Sequence, residues 1–359
     1  MTEKTFIAAT GRHIPTVVVP NAHFLHHEFH EPGGRLIHKP NAEILEQFEA
    51  ITGIRERRYA PPGLVASDLA FMAAEDALAS SGIDMETLDS IIVGHNVGDV
   101  RAGSFSPDLV PALASRVKAK LGIHNPRCSA MDLIFGCPGW VQGVIQADCM
   151  IRAGAARRVM VIGADTLSRV SDPHDRDSLI FADGAGATIL EGRKGGPGDG
   201  ILSHSVRSDT LHHSRMLLMG PSFKAGAYPA DIFLKMEGRK LYKYALNHVA
   251  GGIKECLDRA GFHLDDVAKI LLHQANLKMD EAIVDALAKL YGQERARDGL
   301  MPMTIATLGN SSVATVPTLL DLVLKGDLEG HVLRPGDLVV LASVGAGMNV
   351  NAVAYRMPG

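Results

Sequence analysis

Cysteine is scarce in this sequence: only Cys128, Cys137, Cys149 and Cys256 occur, and no CxxC pair joins any of them. That excludes a disulfide framework or a zinc ribbon and points to a reducing compartment. Tryptophan occurs once, at Trp140. No apolar run reaches the roughly 20 residues that a helix needs to cross a bilayer, so no membrane span is expected. Residues 1–6 lack the basic and long apolar regions of a signal peptide, which makes the cytoplasm the expected location. Charge of one sign is not in surplus either. With 36 basic and 40 acidic residues the net charge is −4, which argues against nucleic acid as a partner. The 16 histidines are scattered and show no zinc-like spacing such as HExxH.

What is present is ordinary globular composition, 46% hydrophobic and 21% charged. The 359 residues can build two domain-sized cores, or one core from two similar halves. Buried-strand patterns at 90–94, 158–164, 269–272 and 337–343 alternate with helical patterns at 67–81, 108–121, 241–260, 279–290 and 313–325. Alternation of that kind predicts an α/β protein with central sheets. The glycine-rich stretch 192–200 is the expected internal boundary. It separates an N-terminal half, 1–195, from a C-terminal half, 196–359, and the repeated order of elements predicts an internal duplication. Asp183-Gly184-Ala185-Gly186 lacks the GxGxxG pattern followed by a helix. It is read as close backbone packing rather than a phosphate loop.

The stretch Phe135-Gly136-Cys137-Pro138-Gly139-Trp140 has a short strand pattern before it and a helical pattern after it. Pro138 suits the first helical position, where a missing N–H costs nothing. Cys137 is thereby expected at a helix N-terminus, where unpaired N–H groups and the helix dipole favour a thiolate. A thiolate there is a candidate nucleophile, and the neighbouring N–H groups are candidates to hold an oxyanion. Taken alone, a single cysteine is more often inert core. Two other features sit at the ends of elements. His273-Gln274-Ala275-Asn276 follows a buried strand, and Gly309-Asn310-Ser311-Ser312 precedes a helix. A lone His or Asn in a loop is usually a turn or cap residue. Together with Cys137 they suggest a Cys-His-Asn set.

With these residues in view, the chain resembles ketoacyl-ACP synthase III, a condensing enzyme of the thiolase superfamily. The resemblance covers nearly the whole chain. It runs through Thr52-Gly53-Ile54-Arg55-Glu56-Arg57, the Cys137 turn, Asp172-Pro173 with Asp175-Arg176, and Phe181-Ala182-Asp183-Gly184-Ala185-Gly186-Ala187. It continues through His273-Gln274-Ala275-Asn276-Leu277, Gly309-Asn310-Ser311-Ser312 and Gly345-Ala346-Gly347. It implies the thiolase-like five-layered αβαβα fold with two pseudo-duplicated halves, as a homodimer. It implies that Cys137 takes an acyl group as a thioester, in a reaction that requires no metal or organic cofactor. His273 and Asn310 would then assist decarboxylation of a malonyl-type extender, with the N–H groups of Cys137 and Gly347 as oxyanion hole. A thiolase would be expected to use a second Cys and an elongating ketosynthase a second His, so Asn310 points to the synthase III and chalcone-synthase branch.

Departures from the family pattern bear on substrate. Gln47 and Ile51 stand where the housekeeping enzyme has a Trp and an Arg that clamp the CoA nucleotide, and Arg176 is retained. Arg176 is equally readable as an ion-pair partner of Asp172 or Asp175. Val110 aligns where a bulky Phe limits the acyl pocket, the segment 98–109 is long, and 21–42 carries an insertion. Trp140 is read as core, with pocket wall as the alternative; Met236 and Arg239 are further substrate-binding candidates. Lys235, Arg239, Lys240, Lys243 and Lys278 form a basic cluster, ordinarily a solvated face. In the family such a surface docks an acidic acyl carrier protein, chiefly speeding encounter; Lys240, Lys243 and Lys278 are the docking candidates. Acyl-carrier-protein or acyl-CoA thioesters are therefore the expected partners. The residues 135–140 and 236–240 are similar to a branch that makes dialkylresorcinols by joining two β-ketoacyl-type thioesters. Alternative functions are housekeeping initiation from acetyl-CoA, a Cys-dependent acyl hydrolase or transferase, and a non-catalytic heterodimer subunit.

Overall fold

The computed structural model describes residues 3–196 and 198–359. Pro197, inside the expected boundary, lies outside the described residues, as do Met1 and Thr2. The first half runs β1 (Glu3–His13), β2 (Val17–Pro20), α1 (Asn41–Thr52), β3 (Glu56–Tyr59), α2 (Ala66–Ser81) and β4 (Ser90–His95). It continues with α3 (Leu113–Leu121), β5 (Ser129–Ile134), α4 (Gly139–Arg152), β6 (Arg158–Thr166) and β7 (Asp183–Lys194). The second half opens with β8 (Gly200–Ser208), α5 (Thr210–His213), β9 (Leu217–Gly220), β10 (Phe233–Met236) and α6 (Gly238–Ala260). It closes with β11 (Val267–Leu272), α7 (Leu277–Leu290), α8 (Ile305–Leu308), α9 (Thr315–Leu324), β12 (Leu338–Gly345) and β13 (Asn349–Arg356).

Of the two larger sheets one has the order β1-β7-β6-β4-β5 and the other β11-β12-β13-β8, while β2 pairs with β3 and β9 with β10. β4 is parallel to both β5 and β6, while β7 is antiparallel to β1 and β6. β11 and β12 are parallel, and β13 is antiparallel to both of its neighbours. Three apolar cores define the layers. Helices α2 and α3 pack on the outer face of the first sheet, and α6 and α7 on the outer face of the second. Between the sheets lie α4 and α9, whose apolar residues mix with those of β4, β6, β11, β12 and β13. This is the expected αβαβα order. It explains why β4 and β12 are buried at every residue and why α9 is buried from Thr315 to Val323: each has protein on both sides. Among the described residues no helix is long and apolar enough to cross a membrane.

Local readings fared unevenly. The helix expected from Asp108 begins only at Leu113, because Pro111 biases the residue before it away from helical dihedrals and Asp108 is held by a bridge to Asp99. Ser67 does not cap α2. Its hydroxyl donates to Asp99 at 2.7 Å, and Asp68 instead accepts from the Val65 N–H. The glycine run at 183–187 is strand from its first residue, and a Cβ on Gly186 would meet Pro317 of α9 at 2.7 Å, so close packing is its reason.

One buried acid has no local partner. Asp280 on α7 is fully buried, and neither carboxyl oxygen finds a hydrogen bond. Burial pushes its pKa well above the usual carboxylate range, against the pull of the Asn276 and Ala275 backbone. The folded chain therefore keeps a proton that the unfolded chain releases. Stability from this group is present below the unfolded pKa and is lost as pH rises toward the folded one. Asp280→Asn, which has no proton to lose, is expected to gain about 1–2 kcal/mol near neutral pH. It should also flatten the fall of Tm between about pH 5 and 8. A Tm–pH curve parallel to the wild-type curve would refute this.

Candidate active site

Cys137 lies in the link between β5 and α4. Pro138 is the residue flanking α4 and Gly139 the first helical one, a step later than expected. The end of β12 runs flush against this link. A Cβ on Gly345 would fall 2.9 Å from the Cys137 backbone nitrogen and 3.0 Å from its Cβ, so only glycine admits the approach. Ala346 is equally tight against Gly136, and Gly347 follows with φ +76°.

Asn310 is clamped by its backbone. Its N–H donates to Ile180 O at 2.9 Å and its carbonyl accepts from Ala182 N–H at 2.8 Å. Its Oδ1 accepts from the Ser312 N–H at 2.8 Å. That assigns the two ends of the amide and leaves the NH₂ as the free donor. His273 extends β11: its N–H donates to Ala342 O at 2.9 Å, so the parallel ladder carries the imidazole to the end of the sheet. The ring is 3% exposed and its Nδ1 has no hydrogen-bond partner. Burial pushes its pKa down to about 4, with the Ser312 backbone beside it offsetting part of the effect. The imidazole is therefore neutral at neutral pH.

Ser312 is where these residues meet. It is buried, with φ +55°, an uncommon conformation for a non-glycine residue that marks a constrained site. Its N–H holds Asn310, its backbone adjoins the His273 ring, and its hydroxyl donates to Cys137 Sγ at 3.2 Å. Cys137 keeps a part-exposed surface. Burial nevertheless pushes its thiol up to about 12, with Ser312 lowering it and Asp165 raising it. This corrects the thiolate expected from the helix start. Desolvation outweighs the helix end, whose Gly139 N–H is already spent on Gly136 O at 2.9 Å.

A cavity of about 650 Å³ opens beside the His273 loop and reaches Ala275 and Asn276. Its walls are largely apolar, with Phe48, Ile180, Leu241 and Met279, and its lining includes Arg176, Met236, Arg239 and Lys243. Gln47 and Ile51 line it too. Cys137 does not. Val110 stands 85% exposed, outside this lining, because it caps a surface loop ahead of α3. Trp140 is fully buried and donates to Val161 O at 3.2 Å, so it is core rather than pocket wall. Lys240 and Lys278 are exposed, and Lys240 pairs with Glu237 at 2.5 Å. Lys235 leaves the basic cluster: it is buried between Asp172 and Asp175, which removes both from Arg176. Arg176 lies 3.6 Å from Glu31 instead. Sequence reasoning did not single out Asn96, just beyond the C-terminal end of β4, or Asp165, in the last two residues of β6. Polar residues at the ends of buried parallel strands were the available signal.

The profile of 3-oxoacyl-[acyl-carrier-protein (ACP)] synthase III matches residues 131–210, and that of its C-terminal part matches residues 257–357. The chain is 33% identical to beta-ketoacyl-[acyl-carrier-protein] synthase III of Dinoroseobacter shibae, covering 99% of this chain and 100% of that one. It belongs to the ketoacyl-ACP synthase III family. The Ruegeria pomeroyi synthase III is 32% identical with the same coverage. The crystal structure of 3-oxoacyl-(acyl carrier protein) synthase III from Pseudomonas aeruginosa superposes with a TM-score of 0.79 at 28% identity, covering 99% of each chain. The Thermus thermophilus enzyme gives 0.79 at 30%, again with 99% of each chain covered. The fold is thus thiolase-like, and this synthase III is a condensing acyltransferase.

Proposed function

We propose that this synthase III joins an acyl group to a carrier-protein-bound extender through an acyl-Cys137 thioester. The observation that carries the reading is the convergence of Cys137, His273 and Asn310 on Ser312. Cys137 attacks the donor thioester and holds the acyl group while the second substrate binds, which separates two thioester reactions in time. The Asn310 NH₂ and the neutral His273 face the carbonyl of a malonyl-type extender and stabilise the enolate that decarboxylation leaves. That carbanion attacks the acyl thioester, whose oxygen the N–H groups of Cys137 and Gly347 receive. Residues 1–195 supply the nucleophile and 196–359 the His and Asn.

Carrier-protein delivery is supported by the cavity mouth. Gln47 and Ile51 offer neither an aromatic face nor a cation to a nucleotide, whereas Arg239, Lys243, Lys240 and Lys278 present exposed charge near it. A homodimer is supported by the free edge of β5, where Ile134 is 63% exposed. Medium-chain or β-ketoacyl substrates, and with them the dialkylresorcinol-type condensation, are favoured by the apolar cavity walls. Intact-protein mass spectrometry with acyl-CoA and acyl-carrier-protein donors, acetyl to about dodecanoyl length and including β-ketoacyl forms, tests the reading. Wild type is expected to gain the acyl mass, Cys137→Ala is not, and carrier-protein donors should load faster. Preferential loading from acetyl-CoA would instead assign housekeeping initiation. An acyl adduct that hydrolyses without condensing would assign an acyl hydrolase.

A further inference from the structure

The Ser312 hydroxyl is held between Asn96 and Cys137. The Asn96 backbone N–H donates to Asp165 Oδ1 at 2.9 Å, and Asn96 Nδ2 donates to Asp165 Oδ2 at 2.6 Å. A carboxylate only accepts, so Asp165 fixes which end of the Asn96 amide faces it. The same Nδ2 reaches Ser312 Oγ at 2.8 Å and must donate there with its second hydrogen. One lone pair of the Ser312 hydroxyl is thereby taken, and its own O–H is left to donate. The Asp165 carboxylate also feels this hydroxyl, but the hydroxyl's remaining hydrogen bond runs to Cys137 Sγ, at 3.2 Å. Asp165 and Ser312 are buried and Asn96 is half-buried, so little water competes for these groups.

We propose that Asp165 and Asn96 are positioning residues that hold the Ser312 hydroxyl as a fixed hydrogen-bond donor to Cys137 Sγ. The inference rests on Cys137 as nucleophile. In acylation, Sγ bonds to the donor carbonyl carbon, the bond to the carrier sulfur breaks, and the thiol proton leaves with that sulfur. In condensation, the extender carbanion bonds to the acyl carbon. The C–Sγ bond then breaks and its electron pair returns to Sγ, where the Ser312 O–H meets the emerging charge until a proton from solvent restores the thiol. No proton crosses Asn96 in either step. A sulfur whose thiol form is favoured gains from such a donor both when it attacks and when it leaves.

The test is iodoacetamide labelling followed by peptide mass spectrometry across about pH 7 to 10, with the exposed Cys149 as internal reference. Ser312→Ala and Ser312→Gly are both expected to slow Cys137 labelling about tenfold at a given pH. Their profiles should shift upward by about one pH unit, the loss of one hydrogen bond to a charged group. Asn96→Leu should move the profile the same way by less. Ser312→Gly keeps the left-handed backbone while losing the hydroxyl. Slowing in Ser312→Ala alone would therefore assign the effect to backbone strain and overturn the proposal. Profiles that superimpose on wild type would overturn it as well, as would an Asn96→Leu profile unchanged beside a shifted Ser312→Gly. Failure of wild type to take any acyl group sinks the proposed function instead, and labelling still reads the Ser312 contact separately.

Discussion

His273→Ala and Asn310→Ala are expected to load acyl groups onto Cys137 yet to lose condensation by about 10²- to 10⁴-fold. Neither side chain makes a hydrogen bond to Sγ; the contact at 3.2 Å belongs to Ser312. In the proposed reaction both instead serve the second substrate, as hydrogen-bond donors to its carbonyl. Asn310→Asp should be worse than Asn310→Ala. Its carboxylate could still accept from the Ser312 N–H, as Oδ1 does now, but it replaces the free NH₂ donor by a negative charge facing a developing enolate. The pH profile carries a second signature. With its pKa held near 4, His273 is already neutral above about pH 5, so it should add no inflection to the condensation rate from there through neutrality. Single-turnover assays on pre-acylated enzyme separate the half-reactions. Loss of acylation to the same degree as condensation would refute the division of labour. A rate falling along an acid limb near the ordinary histidine value of about 6.5 would show that the ring is not held neutral.

The layered architecture was legible because it is written in long-range patterns. Runs such as Lys269-Ile270-Leu271-Leu272, with no polar alternation, require cover on both faces, and that requirement makes a central sheet. The candidate triad was legible for a related reason: Cys137, His273 and Asn310 each stand where a regular element stops. What stayed hidden depends on contacts between distant segments. Nothing local distinguishes Lys235, buried between two aspartates, from the exposed Lys240 a few residues on. Ser312 was in view as part of a motif, yet its contact with Cys137 spans 175 positions. Asp165 reads as one more strand-end acid until the fold places Asn96 against it. The thiolate argument failed because it weighed a helix end without the desolvation that surrounds it.

Arg57→Met is expected to destabilise the chain by roughly 3 kcal/mol, a loss visible in urea unfolding. Arg57 is fully buried. Its Nε donates to Leu179 O at 3.1 Å, Nη1 to Val19 O at 3.1 Å and Nη2 to Asn21 Oδ1 at 2.6 Å. The guanidinium also lies over the rings of Phe24 and Phe48, at 4.9 and 5.7 Å. Burial lowers its pKa to about 10, which leaves it charged near neutral pH. A methionine fills much of the same space but strands two carbonyls and an amide oxygen without donors, and the cost of unmet buried acceptors dominates. Arg57→Lys should recover only part of the loss, because one ammonium does not span three acceptors in the planar fork that arginine presents. The damage should also reach the site. Leu179 is followed directly by Ile180 and then Ala182, the residues whose backbone clamps Asn310. Condensation by the folded Arg57→Lys enzyme should therefore fall more than acylation does. A melting temperature within about a degree of wild type for Arg57→Met would refute the anchor role.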